Sequence, residues 1–277
     1  MRFLIFFFVF LYAFSRCNAQ SIEGTVSDAQ TGEPLPFVAL FFDNTAIATE
    51  TDSVGKFVFQ KLPSGDYTLV VRFVGYEVFS QKVSIKNNAP LSLKISLKAD
   101  PKQLNEVRVT AKRDTKWLKN FRVFEREFLG EGEAAKSCKI LNPWVLAFEM
   151  ENGTLKAKSS ASLEIDNQYL GYKIYYTLQY FSYDGAQVGF GGYAQFDPYL
   201  SHDPIQKKQW QTNRENAYQT SDLYFFRSLI KQQHSQFEAF LDKAGEDPTR
   251  RSPYFHQNQS KKLQKIALDD LVDTVNT

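Results

Sequence analysis

Apolar and polar positions alternate from residue 21 to about residue 100, and this alternation predicts a run of short strands. Ile22 and Val26 share one face of SIEGTVSD. Phe37 to Phe42 reads as a second strand, and Phe57 and Phe59 face one way in KFVF. Tyr67, Leu69, Val71 and Phe73 alternate with Thr68, Val70, Arg72 and Val74. Leu91, Leu93, Ile95 and Leu97 form the inward face of a last strand. Turn residues punctuate the run: Gly32 with Pro34 and Pro36, then Gly55, then Gly65. Short strands at this spacing predict an all-β sandwich.

After Pro101 the period changes. Trp117, Phe121, Phe124 and Phe128 fall on one helical stripe, with Asp114 or Thr115 able to cap its start and Gly130 its end. Asn152-Gly153 predicts a hairpin that sets Met150 opposite Leu155, Phe148 opposite Ala157, Leu146 opposite Ser159 and Trp144 opposite Ala161. A second hairpin centres on Asp184-Gly185. Its first strand has an apolar even face of Leu170, Tyr172, Ile174, Tyr176, Leu178 and Tyr180. In the simplest register Gly189 and Gly191 lie across from Tyr180 and Leu178, which requires either two covered faces or a glycine bulge. Asp203-Pro204 opens one helix and Thr220 or Ser221 a second, with Leu223, Phe226, Ile230 and Phe237 on one side. From Gly245 the chain is polar, and a short helix is expected near Leu263 to Val272. The expected fold class is therefore an N-terminal all-β sandwich followed by an α+β domain with antiparallel hairpins and helices.

Composition adds a compartment. The first residues, MRFLIFFFVFLYAFSRCNAQ, combine Arg2, an apolar Phe3 to Phe14 and a Cys17-Asn18-Ala19 end, as in a signal peptide cleaved after Ala19. A lipobox ending at Cys17 is the rival, weakened by Arg16. The chain has 33 basic residues, of which Arg2 and Arg16 lie in this leader, leaving 31 against 31 acidic ones. That balance argues against nucleic acid as a partner. Only Cys138 would survive cleavage, so no disulfide within the chain is expected.

Candidate chemistry is sparse. His202, His234 and His256 form no zinc-peptidase pair, and His234 with Glu238 reads as an exposed helical pair. GEGEAA at 130 to 135 follows a helix and GFGG at 189 to 192 lies in a strand, so neither has phosphate-loop geometry. No catalytic residue, metal ligand or cofactor site is predicted. Tyr175, Phe181 and Tyr183 are the candidate contact residues, as exposed aromatics able to stack on glycan rings; sheet packing is the competing role.

The marks Gly24, Thr31-Gly32, Pro34-Leu35, Thr51-Asp52, Gly55, Phe57, Gly65, Tyr67 and Gly75-Tyr76 resemble the carboxypeptidase-regulatory-like domain, a transthyretin-like (Ig-like) sandwich. That resemblance implies no catalytic residue, since the domain accompanies peptidases without holding their chemistry. It also implies an exported protein of a Gram-negative envelope. FLGEG, SCKILNP, LEIDNQYLGYKIYYTLQYF and NRENAYQTSDLYFFRSL resemble the second domain of an uncharacterised exported group, with Thr220 in place of an expected glycine. The expected organisation is a signal peptide at 1–19, the sandwich at 20–103, a linker at 104–116, an α+β domain at 117–244 and a polar tail at 245–277. The expected function is a non-enzymatic binding or structural protein of the periplasm or outer membrane. Its partner would be an envelope protein or a glycan, and no transmembrane span would follow cleavage. LNEVRVTAKRDTKW, residues 104 to 117, raises the alternative of an extension of an outer-membrane TonB-dependent transport system. A carboxypeptidase-like hydrolase is the third reading, and the absent zinc pair opposes it.

Overall fold

The computed structural model describes residues 21–86, 91–100, 115–130, 133–219, 221, 224, 227, 228, 239–242 and 263–266. Packing divides the chain into two compact units, residues 1–200 and residues 201–277. The predicted leader, residues 101–103 of the expected sandwich and residues 104–114 of the linker lie outside the described residues, as do Leu223, Phe226, Ile230, Phe237, His234 and His256.

The first unit begins with a sandwich of two sheets. One holds β1 (Ile22–Asp28), β4 (Lys56–Phe59) and β7 (Leu91–Leu97), in the order β4-β1-β7. The other holds β2 (Ala39–Phe42), β3 (Ala48–Glu50), β5 (Gly65–Arg72) and β6 (Phe79–Ile85), in the order β3-β2-β5-β6. The alternation seen in the sequence is the reason they pack. Ile22, Val26, Leu40, Phe42, Phe57, Phe59, Leu69, Val71, Ile95 and Leu97 meet between the sheets as one buried core. The second strand starts two residues later than expected, because Phe37 takes a φ of 56° and turns out to solvent. Gly24 is fixed by packing: a Cβ there would collide with the Leu93 carbonyl and the Phe57 ring.

A helix and a second sheet follow within the same unit. α1 (Thr115–Leu129) ends at Gly130, whose φ of 80° and N–H bond to the Arg126 carbonyl make a left-handed C-cap. A one-turn α2 (Glu133–Lys136), β8 (Cys138–Ile140) and a 3-10 turn (Pro143–Val145) lead into β9 (Leu146–Glu151) and β10 (Thr154–Ser159). β11 (Leu163–Asn167), β12 (Tyr172–Tyr183) and β13 (Val188–Pro198) complete the sheet, with β12 central and β13 along its far side. The stripe of α1 lies on this sheet: Trp117, Phe124, Leu146, Leu155, Ala157, Leu163, Ile165, Leu178 and Phe181 form a second core, with Phe121 and Phe128 packed against it.

The Asn152-Gly153 hairpin has the expected register through Leu146–Ser159, and both turn residues carry positive φ, at 50° and 83°. Trp144 lies in the 3-10 turn instead of facing Ala161. The second hairpin differs from the simplest register in two ways. Its turn is longer, because Tyr183 pairs with Val188 and the Asp184 carboxylate accepts from the N–H groups of Ala186 and Gln187. A bulge then falls between Leu178 and Tyr180, opposite Gly192 and Gly191.

In the second unit α3 (Pro204–Gln219) starts where Asp203 accepts the Ile205 N–H. Ser221 caps a following helical turn by accepting the Tyr224 N–H. β14 (Ala239–Asp242) pairs antiparallel with β15 (Leu263–Ile266), so Leu263 to Ile266 form a strand where a helix was expected. Pairing with β14 satisfies backbone groups of this short segment that a helix would have paired internally.

Candidate functional site

The candidate site rests on β12 and β13, and the bulge governs it. A bulge puts two consecutive side chains on one side of a strand. Below it, Ile174, Tyr176 and Leu178 face α1; at it, Gln179 and Tyr180 both turn outward; above it, Phe181 and Tyr183 face α1 again. Gly191 lies directly across from Tyr180, whose ring covers the space a Cβ would need at 2.5 Å. Gly192 is held still more tightly, by the Thr177 carbonyl and the Tyr176 ring. Gly191 and Gly192 therefore make room for tyrosine rings.

The three aromatics singled out from the sequence do not share a surface. Phe181 is 2% exposed, with its ring 4.7 Å from that of Phe124. It is a core residue and not a glycan platform, because the bulge turned it inward. Tyr183 packs at the margin of the same core and donates its hydroxyl to the Gly185 carbonyl at 3.1 Å. Tyr175 is half-buried on the opposite face, under the Lys173 ammonium at 5.1 Å, and Lys173 pairs with Glu164 at 2.7 Å. On β12, sequence reasoning missed the exposed Tyr180, at 56%. Its signal was present in the two glycines that face a tyrosine-rich strand.

The C-terminal half of β13 meets the sandwich. The Asn44 N–H donates to the Ala194 carbonyl at 2.8 Å, and the Phe196 N–H donates to the Thr45 carbonyl at 2.9 Å. The Asp43 carboxylate accepts the Ala194 N–H at 2.8 Å, and the Tyr193 hydroxyl donates to Ser80 Oγ at 2.8 Å. Thr45 bridges Gln195 in parallel, so the turn after β2 adds a short strand segment to the second sheet. Phe41, Val70 and Ser80 form one cross-strand row on the face of the β3-β2-β5-β6 sheet that points away from the sandwich core. Phe41 and Val70 are nevertheless buried, and Tyr193 reaches the third member of their row. Burial also lowers the Arg72 guanidinium below its ordinary value.

The titratable groups with displaced pKa values are engaged in turns and ladders. The Asp28 carboxyl is held low, first by the Thr31 N–H and then by the Tyr76 hydroxyl and the Gln30 N–H. Tyr76 is pushed up by the same bond. Tyr199 is pushed up to about 12 by burial and by its 2.7 Å bond to the Asp166 carboxylate. Asp184 is held low by its turn amides, and Glu151 by Lys156 across the hairpin. Burial pushes the Cys138 thiol up, and its Sγ donates to the Ala134 carbonyl at 3.3 Å. Among the described residues no group of three or more His, Cys, Asp and Glu is arranged to hold a metal ion. Among them, too, no helix is long and apolar enough to cross a membrane.

Comparison with known proteins identifies a CarboxypepD_reg-like domain in residues 22–109. The matched span ends six residues beyond the sandwich boundary expected at 103 and takes in Leu104 to Val109. No curated protein matches the chain. Among solved structures, it is similar to a type II cohesin–X-dockerin complex from Acetivibrio cellulolyticus, at 20% identity over 29% of this chain and 58% of that one, with a TM-score of 0.25. It is similar to 3-chlorocatechol 1,2-dioxygenase from Rhodococcus opacus, at 14% identity over 30% and 60%, with a TM-score of 0.23. A DUF3823 family protein from Bacteroides uniformis matches at 10% identity over 54% of each chain, with a TM-score of 0.22. The chain spans less than two thirds of each of these structures. Likeness at this level carries no information about function.

Proposed function

We propose that the chain is an exported, non-enzymatic binding or structural protein of the periplasm or outer membrane. The observation that carries this reading is the use made of its displaced titratable groups. A catalytic acid or base needs a shifted group in a cleft, aimed at a substrate. Here Asp28, Tyr76, Glu151, Asp184 and Tyr199 have their shifts explained by a turn, a hairpin pair or a buried hydrogen bond. A CarboxypepD_reg-like domain supports the reading as a module attached to a second, sheet-bearing region. The apolar Phe3 to Phe14 run ending in Cys-Asn-Ala supports export. Tyr180 and Tyr175 are the aromatic contacts we assign to an envelope protein or glycan, in place of Phe181.

The transporter alternative rests on residues 104 to 117, and the CarboxypepD_reg-like match extends into that stretch as far as Val109. Cell fractionation with intact-mass measurement tests the proposal. The expected result is an envelope protein beginning at Gln20, without peptidase activity. A cytoplasmic chain that keeps its first 19 residues, or chelator-sensitive release of C-terminal amino acids from peptides, would overturn it.

A further inference from the structure

Unpaired edge strands invite pairing with other chains, and natural sheets protect them by brevity, charge, proline or cover. Most edges in residues 21–198 follow that rule. β3 and β8 have three residues each, β4 carries Lys56, β6 carries Lys82, β7 carries Lys94, and β9 carries Glu149 and Glu151. β13 follows it only in part. Asp43 to Thr45 cover it at Ala194 to Phe196. The preceding stretch, Val188-Gly189-Phe190-Gly191-Gly192, has neither a charge nor a proline. The Ala194 carbonyl and the Phe196 N–H point to the sandwich side. By the two-residue period, the backbone groups of Val188, Phe190 and Gly192 point the same way. Among the described residues nothing pairs with them.

We propose that this open edge joins two copies of the chain, antiparallel about a two-fold axis through Phe190. The stretch is complementary to itself. Such pairing sets Phe190 beside Phe190 and Val188 opposite Gly192, a large residue against a small one. On the other face Gly189 lies opposite Gly191, so no side chains collide. Val188 and Phe190, 41% and 40% exposed, supply apolar area beside it. The paired length is set by the fold, because residues 43–45 occupy the edge from Ala194 onward. This dimer continues an edge that already accepts one added segment, and it is independent of the function proposed above.

Five residues per copy bury far less than the roughly 800 Å² per partner of a standard interface, so the dimer is weak, with a Kd on the order of 10 µM. Sedimentation velocity on the full mature chain, from about 1 to about 200 µM, tests this. The expected result is a monomer–dimer equilibrium. Two variants address the contact. Gly189→Lys adds an edge charge where the nearest atom to a new Cβ is Ser182 Oγ, at 3.4 Å. Val188→Pro removes an outward N–H. Each is expected to weaken the dimer at least tenfold with an unchanged circular dichroism spectrum; should Val188→Pro fail to fold, Gly189→Lys decides alone. A chain that stays monomeric throughout overturns the proposal and leaves the edge to an extended segment of another protein. Association undiminished in Gly189→Lys places the contact elsewhere and overturns it equally.

Discussion

The sandwich and the sheet that follows it bury their cores by different means. In the sandwich two sheets face each other, and strict alternation delivers Phe42, Phe57, Phe59 and Leu69 to the space between them. In the second region, among the described residues, the aromatic stripe of α1 packs on one side of one sheet. A sandwich core has many mutually redundant contacts across two layers. A core made by one helix concentrates its packing on a few rings, and Phe124 is the hub: it lies within ring contact of Phe128, Phe148 and Phe181. The two regions are joined at the edge of β13, where the sandwich lends the second sheet a turn of its own.

The largest expected effect therefore comes from Phe124→Ala. Removing a fully buried ring costs about 3–5 kcal/mol, and urea denaturation followed by tryptophan fluorescence should show it. Of the three tryptophans, Trp117 and Trp144 lie in the second region, Trp210 lies in α3 and none lies in the sandwich, so the fluorescence change excludes the sandwich, and a Trp210→Phe background confines it to the second region. A loss under 1 kcal/mol would mean that α1 is not what holds this sheet together. Gly192→Ala should come next, at about 1–3 kcal/mol, since its Cβ would press on the Thr177 carbonyl and the Tyr176 ring. The control is Gly153→Ala: no atom lies within 4 Å of its Cβ and only the φ of 83° resists, so a larger loss there than at Gly192 would contradict the packing account. Asp43→Ala should cost about 1–3 kcal/mol by leaving the Ala194 N–H without its carboxylate partner.

The smallest effect concerns pH and the sandwich alone. Asp28 has its folded pKa held below the ordinary 3.8 by the Thr31 N–H, the Tyr76 hydroxyl and the Gln30 N–H. A depressed carboxyl contributes stability that is complete above the unfolded value and is lost as pH falls through the folded one. Thermal midpoints measured from pH 5 to about pH 2 should thus fall less steeply in Asp28→Asn than in the parent chain. Equal slopes would remove Asp28 from the account.

The same contrast explains what the sequence could reveal. Period-two alternation identified the sandwich, because strands such as β4, β6 and β7 bury one face and leave the other exposed, and turns are marked by Gly32 and Gly55. The α1 stripe and the Asn152-Gly153 register were equally legible, being set by local periodicity and by turn chemistry. The second hairpin was not. Its glycines announced an irregularity, but whether β12 or β13 bulged depends on how Tyr176 and Tyr180 lie over Gly192 and Gly191, a tertiary matter. That single displaced residue carried Phe181 from the expected surface into the core. Nor could local pattern show that Asp43 to Thr45 would pair with Gln195, since 150 residues separate them along the chain. Leu263 to Ile266 likewise form a strand only because Ala239 to Asp242 pair with them.

The central claim is that the sandwich and the second sheet form one cooperative unit, fastened where residues 43–45 meet residues 194–196. Hydrogen exchange across a urea series, read on peptides covering β5 and β12, tests it most directly. The account predicts that both strands lose protection at one urea concentration in the parent chain and at two different concentrations in Asp43→Ala. Separate transitions already in the parent chain would contradict it.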